Sequence, residues 1–333
     1  MMRAPRFRYY AARDARDAAI ALASEPDAIL LAGGTDVLPK LKRRQTTPSL
    51  VVSLRRTNDL RGIAQNGEMA IGAMTTLRDL LADPRITETH ALYEAVSQIA
   101  TPLIRNSATL GGNLALDTRC NYYDQSEEWR TAIGGCMKLP LGDAGQPAPP
   151  CWVAPSSPRC WAVSSSDAAP ALIALGARVT LVSPRGARDL ALEDLYADDG
   201  AAPLAKHRDE ILTAIRVPRG WHSTYWKLRR RGSFDFPVLG VAVAIRFGAH
   251  GIVDDARIVL GAVASRPLLL AESESLRGTT LTDDGIDSFA ARAAAHAKPL
   301  DNTDFSMTWR KSVARTYLAG ALRELREQTG GSR

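Results

Sequence analysis

The amino-acid sequence predicts an α+β protein built from two domains. With 333 residues, of which 45% are hydrophobic, the chain is long enough to bury a substantial core and longer than most single domains. Helical and β-type apolar patterns are mixed along residues 1–217, whereas two β-rich runs and then two helical stretches follow a turn at residues 218–220. We therefore expect a first α+β domain over residues 1–217 and a smaller sheet-plus-helix domain over residues 218–333.

Two glycine turns divide the predicted elements of the first domain. The first turn, AGGTD at residues 32–36, follows an apolar strand. The second, TLGGN at residues 109–113, follows a helix that is expected to end before Pro102, because proline disfavours the helical conformation of its predecessor. Apolar periodicity predicts helices over residues 13–24, 76–81, 87–100 and 167–176, and strands over residues 28–31, 50–54, 69–74 and 178–182.

The second domain is predicted to begin with a hairpin. Residues 238–247 and 252–263 are rich in β-forming residues, and the Gly-Ala-His-Gly segment between them is typical of a hairpin turn. Helical patterns at about residues 284–295 and 304–328 close the chain.

The charge pattern argues against several classes of partner. The net charge of +6 comes from dispersed arginines, with short basic clusters only at residues 40–44 and 229–231. Neither cluster accompanies a nucleic-acid-binding motif, so no nucleic-acid binding is predicted, although a basic surface suits an acidic electron carrier. No run of 18 apolar residues is present, so no membrane span is predicted. The N-terminus has no apolar export segment, and a cytoplasmic location is expected.

All four cysteines of the chain, Cys120, Cys136, Cys151 and Cys160, lie within residues 120–160. Such clustering favours a shared ligand over unrelated thiols. The intervals between them are wider than the tight Cys-x2-4-Cys pairs of zinc sites, whereas iron-sulfur ligation tolerates wider spacing. Disulfides require an oxidising compartment, which the N-terminus does not suggest. A shared metal or cluster, disulfides and unrelated thiols all remain open from these residues.

The segment around the cysteines lacks helical or alternating apolar periodicity. Six prolines occur from residue 140 to residue 158. Long loops without secondary structure are uncommon in compact domains unless they have a function. We therefore expect a bound cluster to supply the order that this segment cannot obtain from its own packing.

The two glycine turns suit a diphosphate. Glycine lets backbone N–H groups approach phosphate oxygens without a Cβ between them, and the threonine, aspartate and asparagine beside the glycines add polar groups. A plain tight turn is the alternative for each of them. Neither turn has the G-x-G-x-x-G pattern after a strand, so a Rossmann dinucleotide site is not predicted.

Four sequence blocks together resemble a known family. They are AGGTDVLPKL (32–41), IRNSATLGGNLA (104–115), SSSDAAPALIALGA (164–177) and KLRRRGSFDFPVLGVAVAI (227–245). In this order they resemble the FAD-binding medium subunit of the molybdenum hydroxylases, the xanthine dehydrogenase and carbon monoxide dehydrogenase family. The resemblance implies a two-part FAD-binding domain of the vanillyl-alcohol-oxidase/PCMH type, followed by a C-terminal α+β domain of the CO dehydrogenase flavoprotein type.

The resemblance also implies which residues bind FAD. The two glycine turns would hold the diphosphate, Asp167 would lie near the ribose and adenine, and Lys227 would lie near the flavin or its phosphates. The implied diphosphate residues are Ala32, Gly33, Gly34, Thr35 and Asp36 in the first turn and Thr109, Gly111, Gly112 and Asn113 in the second.

The cysteine-bearing insert, at about residues 118–162, is similar to one branch of this family. The resemblance is to the β subunit of 4-hydroxybenzoyl-CoA reductase. It rests on the sequence TRCNYYDQSEEWRTAIGGC at residues 118–136 and on the two cysteines that follow. In that branch four cysteines bind a 4Fe-4S cluster. The resemblance therefore implies that Cys120, Cys136, Cys151 and Cys160 are the cluster ligands.

The implied role is electron transfer through FAD and a 4Fe-4S cluster, with no catalytic residue for the organic substrate in this chain. The implied partners are a large molybdopterin-binding subunit and a small 2Fe-2S subunit in a dimer of heterotrimers. The implied reaction is reductive removal of the ring hydroxyl of 4-hydroxybenzoyl-CoA with electrons from ferredoxin. Two alternatives are a purine, aldehyde or aromatic acyl-CoA dehydrogenase of the same family, and a zinc-stabilised scaffold that is not an enzyme.

Overall fold

The computed structural model describes residues 3–141 and 149–328. Its N-terminal part is a three-stranded parallel sheet with the strand order β1-β3-β2. Helix α1 begins where Asp14 accepts a hydrogen bond from the Asp17 N–H, and it buries alanines and a leucine at helical spacing. The elements are β1 (Arg8–Ala11), α1 (Ala15–Ser24), β2 (Ile29–Leu31), α2 (Val37–Lys42) and β3 (Leu50–Ser53).

A five-stranded antiparallel sheet with the order β4-β5-β10-β8-β9 forms the second part of the first domain. Short helices pack against it and bury a common apolar core. Its strands are β4 (Ile63–Asn66), β5 (Glu68–Gly72), β8 (Arg178–Ser183), β9 (Gly186–Ala191) and β10 (Ile211–Val217). Its helices are α3 (Leu77–Ala82), α4 (His90–Ser97), α5 (Pro102–Arg105), α6 (Leu110–Leu114) and α8 (Ala168–Ala174).

The cysteine-bearing insert departs from the sequence expectation, because it contains regular structure. Helix α7 (Glu127–Ala132) is followed by a small hairpin of β6 (Gly135–Cys136) and β7 (Leu139–Pro140). Two hydrogen bonds of 2.7 and 2.8 Å between Arg119 and Val163 close the base of the insert. These elements are too short to produce visible periodicity. Residues 142–148 of the proline-rich segment lie outside the described residues.

The C-terminal domain is a four-stranded antiparallel sheet with two helices on one face. Along β12, Val241, Val243 and Ile245 pack against these helices, whereas Ala242 and Ala244 pack against the core of the first domain. Burial on both faces explains why this strand is a continuous apolar run. The elements are β11 (His222–Leu228), β12 (Leu239–Phe247), β13 (Val253–Gly261), β14 (Leu268–Leu269), α9 (Asp283–Ala293) and α10 (Met307–Gln328).

The mixture of helices and sheets confirms the α+β prediction, although several short helices and strands were not predicted and one predicted helix is divided. The predicted helix over residues 87–100 is a 3-10 helix, Pro84–Glu88, followed by α4. Ala100 has a positive φ of 49°, which ends the helical path before Pro102. In the described residues, no helix has the length and apolar character needed to cross a bilayer.

Candidate functional site

A cavity of about 840 Å³ is lined by residues from the parallel sheet, the five-stranded sheet and the loop after β11. Its size and its apolar walls with convergent polar groups are typical of a cofactor site. Both predicted glycine turns lie on its wall, although they are far apart in sequence. The sequence-predicted residues that line the cavity are Ala32, Gly33, Gly34, Thr35, Asp36, Thr109, Gly111, Gly112, Asn113 and Asp167.

The first glycine turn offers unpaired donors to this cavity. In the described part of the chain, the backbone N–H groups of Gly33, Gly34, Thr35 and Asp36 donate to no protein acceptor. Gly34 has a φ of 77°, which favours glycine. A Cβ on Gly33 would lie 1.9 Å from the Ser107 carbonyl oxygen, so the chain before the second turn leaves no room for a side chain there. A row of free N–H groups at a cavity wall suits an anionic group such as a diphosphate.

The second glycine turn is more self-contained than the sequence suggested. It forms the start of α6, where the Gly112 N–H donates to Thr109 Oγ1 at 3.1 Å and the Gly111 N–H donates to the Ala73 carbonyl at 2.8 Å. Asn113 Oδ1 accepts hydrogen bonds from Ser166 Oγ and the Ala168 N–H. This turn therefore contributes shape and the Asn113 amide to the cavity, whereas the first turn contributes the free backbone donors.

The resemblance implied a place for Lys227 near the flavin or its phosphates, and the structure shows its side chain bonded to Asp167. Its ammonium group donates to Asp167 Oδ2 at 2.9 Å and to the Gln98 carbonyl at 3.1 Å, its side chain is fully buried, and it is absent from the described cavity wall. Tyr225 donates to the other oxygen of Asp167 at 2.8 Å. Asp167 thus faces the cavity at one edge, while Lys227 lies behind it and pairs its charge across the junction of the two domains.

Replacement of Lys227 by methionine should lower the free energy of unfolding by about 3–5 kcal/mol, because the Asp167 charge would remain buried without its partner. Urea denaturation of the purified chain measures this change. The matched control is Arg277→Met in the exposed Arg277–Glu274 pair, where little change is expected. Equal stability of the two variants would contradict a structural role for the buried pair.

Several cavity residues escaped the sequence interpretation. Phe234 and Phe236 line one end, and the Arg119 guanidinium stacks on the Phe236 ring at 4.5 Å. Arg119 Nε is buried without a hydrogen-bond partner in the described structure, as is Nε of Arg43, which also lines the cavity. Lys206 lines the cavity too, and burial lowers its pKa. The resemblance block at residues 227–245 contains both phenylalanines, but neither has a spacing that marks it as a ligand.

The residues present fit FAD. Within the described residues, the cavity has largely apolar walls, free backbone donors in the first glycine turn and two buried arginine Nε groups without partners. A bound diphosphate and aromatic ring system would complete these features. Ten of the eleven residues that the sequence analysis assigned to FAD line this cavity and Lys227 does not, and their contact with FAD stays a prediction.

The four cysteines come together beside this cavity. All are free thiols with 5–8% of their surface exposed. Burial, reinforced by nearby thiols, raises the pKa of Cys120 to about 12 and that of Cys160 to about 11. The Ala162 N–H donates to Cys160 Sγ at 3.4 Å. Of the described His, Cys, Asp and Glu groups, only His90, Glu94 and Glu324 have three ligand atoms within 4.8 Å of one another. The cysteines are thus near one another, but no three of their Sγ atoms lie within 4.8 Å of one another.

Two family models match the chain in succession. Residues 5–220 match the FAD binding domain in molybdopterin dehydrogenase, and residues 223–325 match the CO dehydrogenase flavoprotein C-terminal domain. The chain belongs to the FAD-binding medium subunits of the molybdenum hydroxylase family. This confirms the family resemblance, the binding of FAD and the assignment to oxidoreductase subunits.

Individual members of the family are similar over nearly the whole chain. The aldehyde oxidoreductase FAD-binding subunit of Escherichia coli strain K12 is 30% identical, covering 97% of this chain and 99% of that protein. The carbon monoxide dehydrogenase medium chain of Afipia carboxidovorans is 31% identical, covering 89% and 88%. The solved structure of reconstituted CO dehydrogenase from Oligotropha carboxidovorans has a TM-score of 0.78 at 28% identity, covering 98% and 99%. The predicted two-part FAD-binding fold with its C-terminal domain is thereby confirmed.

Proposed function

We propose that this chain is the FAD and 4Fe-4S electron-transfer subunit of a molybdenum enzyme of the 4-hydroxybenzoyl-CoA reductase type. The observation that carries the proposal is the gathering of all four cysteines of the chain, buried, in one insert beside the FAD cavity. In the proposed division of labour, residues 1–217 bind both groups and residues 218–333 form the CO dehydrogenase-type domain.

The arrangement of the thiols favours a cluster over a single zinc ion. Tetrahedral zinc at about 2.3 Å from each sulfur would bring the four sulfurs to about 3.8 Å from one another. No three Sγ atoms of these described cysteines meet even a 4.8 Å limit. In a 4Fe-4S cluster each thiolate binds a different iron, so the sulfurs stay further apart. The Ala162 N–H bond to Cys160 Sγ is the kind of backbone contact that tunes a cluster.

When bound, FAD exchanges one or two electrons and the cluster passes one at a time, so together they can join a one-electron carrier to other redox centres. The residues of this chain bind and orient these groups. The first glycine turn supplies N–H donors for the diphosphate, and Arg119, which lines the cavity, directly precedes Cys120 in the chain. Burial of all four thiols excludes water from the cluster ligands.

The proposed complex follows from the resemblance of residues 118–136 to the reductase branch. It contains a large molybdopterin-binding subunit and a small 2Fe-2S subunit in a dimer of heterotrimers. The overall reaction consumes 4-hydroxybenzoyl-CoA, two electrons and two protons, and it releases benzoyl-CoA and water. Ferredoxin is the proposed electron donor.

A second candidate is an FAD subunit of a dehydrogenase in which electrons leave through this chain. It is favoured by the names of the relatives, which include an aldehyde oxidoreductase, a xanthine dehydrogenase and a carbon monoxide dehydrogenase. In this case the organic substrate is oxidised and the external carrier is reduced.

Cofactor analysis of the complete complex tests the proposal. We expect one FAD that is released by acid denaturation, because neither glycine turn contains a histidine or cysteine for covalent attachment, and about four irons with equal sulfide assigned to this chain. Iron is attributed to this chain by comparing the iron content of the complex with that of the separately purified small subunit. Zinc in place of iron would contradict the cluster. Oxidation of aldehydes or purines without reduction of 4-hydroxybenzoyl-CoA by reduced ferredoxin would favour the second candidate.

A further inference from the structure

Helix α2 stands between the two proposed cofactor sites. Asp36, Pro39, Lys42 and Arg43, at its start and along its length, line the FAD cavity. With only six residues, the helix has little stability of its own, so its position depends on tertiary contacts. Those contacts come largely from the cysteine-bearing insert.

Two ion pairs join the start of this region to the base of the insert. Asp36, in the first glycine turn, pairs with Arg119, and Lys40, one helical turn later, pairs with Asp117. The Lys40 and Arg119 side chains are only 10% and 9% exposed. Charge pairs that are largely withdrawn from water keep a fixed geometry. If one partner moves away, the desolvation cost of the other charge is no longer compensated.

The end of α2 is held in the same way by the middle of the insert. The Arg130 guanidinium, which is buried, donates to the Arg43 and Arg44 carbonyls at 2.8 and 3.0 Å. Arg44 has a φ of 54°, an uncommon conformation for arginine that neighbouring contacts must stabilise. The Gln45 side chain donates to the Tyr123 carbonyl at 2.8 Å.

Asp117 connects these contacts to the cysteines. Lys138, two residues after Cys136, donates to Asp117 Oδ1 at 2.7 Å, and the Tyr123 hydroxyl donates to Oδ2 at 3.1 Å. Tyr123 packs in the same buried cluster as Cys120 and Cys160. Burial would raise the pKa of Asp117, but the ammonium groups of Lys138 and Lys40 hold it well below its usual range. The carboxylate therefore stays charged and bridges α2 to both sides of the insert.

We propose that Asp117 and Arg119 are positioning residues that couple the four-cysteine insert to the first glycine turn, so that FAD binds more tightly when the insert holds its metal. The inference rests on the proposed function. The metal orders the backbone at Cys120 and Cys136, this order fixes Arg119 and Lys138, and these side chains fix Asp36 and α2 at the cavity wall. Because such coupling is reciprocal, FAD must strengthen metal retention by the same factor.

The test measures FAD affinity in a four-way comparison. Wild-type protein and Asp117→Asn are each prepared with iron and after removal of iron by a chelator, and the FAD dissociation constant is measured by the quenching of flavin fluorescence. We expect removal of iron to weaken FAD binding by about tenfold in the wild type. In Asp117→Asn the difference should fall to about threefold or less, because the Lys40–Asp117–Lys138 connection is broken and only the Asp36–Arg119 pair remains.

Two further variants control for general damage. Tyr123→Phe removes one hydrogen bond to Asp117 without a change of fold, and it should reduce the coupling only in part. Arg257→Met removes a half-buried arginine that pairs with Glu193 outside both sites, and its coupling should equal that of the wild type. In the reverse direction, saturating FAD should raise the fraction of iron that wild-type protein retains against a fixed chelator concentration.

The outcomes separate this inference from the proposed function. Wild-type protein that binds FAD but never iron overturns the proposed cluster and the coupling with it. If both bind and removal of iron leaves the FAD dissociation constant unchanged within twofold, the coupling alone is wrong. If Asp117→Asn retains the full wild-type difference, the assignment of Asp117 is wrong, since another contact must then transmit the coupling.

Discussion

Replacement of Cys136 by alanine is expected to abolish iron binding by this chain, whereas replacement of its neighbour Met137 by leucine should leave it intact. The alanine leaves one iron corner without a thiolate, and no other cysteine exists in the sequence to fill it. Met137→Leu is a matched control, because it changes the adjacent side chain with little change of volume and no loss of a ligand. Iron and sulfide analysis measures the result.

The same variant tests whether electrons from ferredoxin pass through the cluster. With excess FAD present, the complex that carries Cys136→Ala should lose turnover driven by ferredoxin and keep activity with an artificial dye that reacts at the flavin or beyond it. This result is expected because electrons from a low-potential carrier would enter through the cluster. Ferredoxin-driven rates equal to those of the wild type, in a variant without iron, would refute the cluster as an electron conduit and leave it a structural role.

Gly33→Ala and Gly112→Ala are expected to have large but different effects. A Cβ on Gly33 meets the Ser107 carbonyl at 1.9 Å, so that variant should lower the free energy of unfolding by about 1–3 kcal/mol even without FAD. A Cβ on Gly112, which lines the cavity, would have only Thr109 Oγ1 at 3.0 Å and Ala32 Cβ at 4.0 Å as neighbours among the described residues. That variant should keep its stability and weaken FAD binding by about 1–3 kcal/mol.

Two measurements distinguish these effects. Urea denaturation of the FAD-free proteins gives the stability, and titration with FAD gives the affinity. The location of the diphosphate beside Gly112 would be wrong if Gly112→Ala bound FAD as tightly as the wild type. The packing argument for Gly33 would be wrong if its variant were as stable as the wild type, because no flexible side chain is available there to move aside.

The sequence determined the fold class, about half of the helices and strands that the structure describes, and the two glycine turns. These features depend on local properties: apolar spacing, the conformational freedom of glycine and the restriction imposed by proline. The element boundaries at α1, α3, β8 and α9 agree with the predicted ranges to within two or three residues. The four cysteines were identifiable for a similar reason, since their clustering is visible in the sequence without knowledge of the fold.

The tertiary structure alone decided how the two glycine turns differ. Both contain paired glycines beside polar residues, yet the second spends its N–H groups on Thr109 and Ala73, while the first leaves them free. The sequence could not show this, because the acceptor Ala73 comes from a distant chain segment whose approach to the second turn is set by packing. Long-range packing likewise decided that Lys227 is a buried partner of Asp167.

The link between the insert and the FAD cavity is the clearest feature that required tertiary structure. In the sequence, the first glycine turn at residues 32–36 and the cysteines at residues 120–160 are separate, and nothing indicates that one supports the other. Folding brings Asp36 to Arg119 and Lys40 to Asp117. Burial of an unpaired charge is costly, so these side chains are stable only when each lies next to a group of opposite charge. Local sequence determined which groups are present, and long-range packing decided which of them act together.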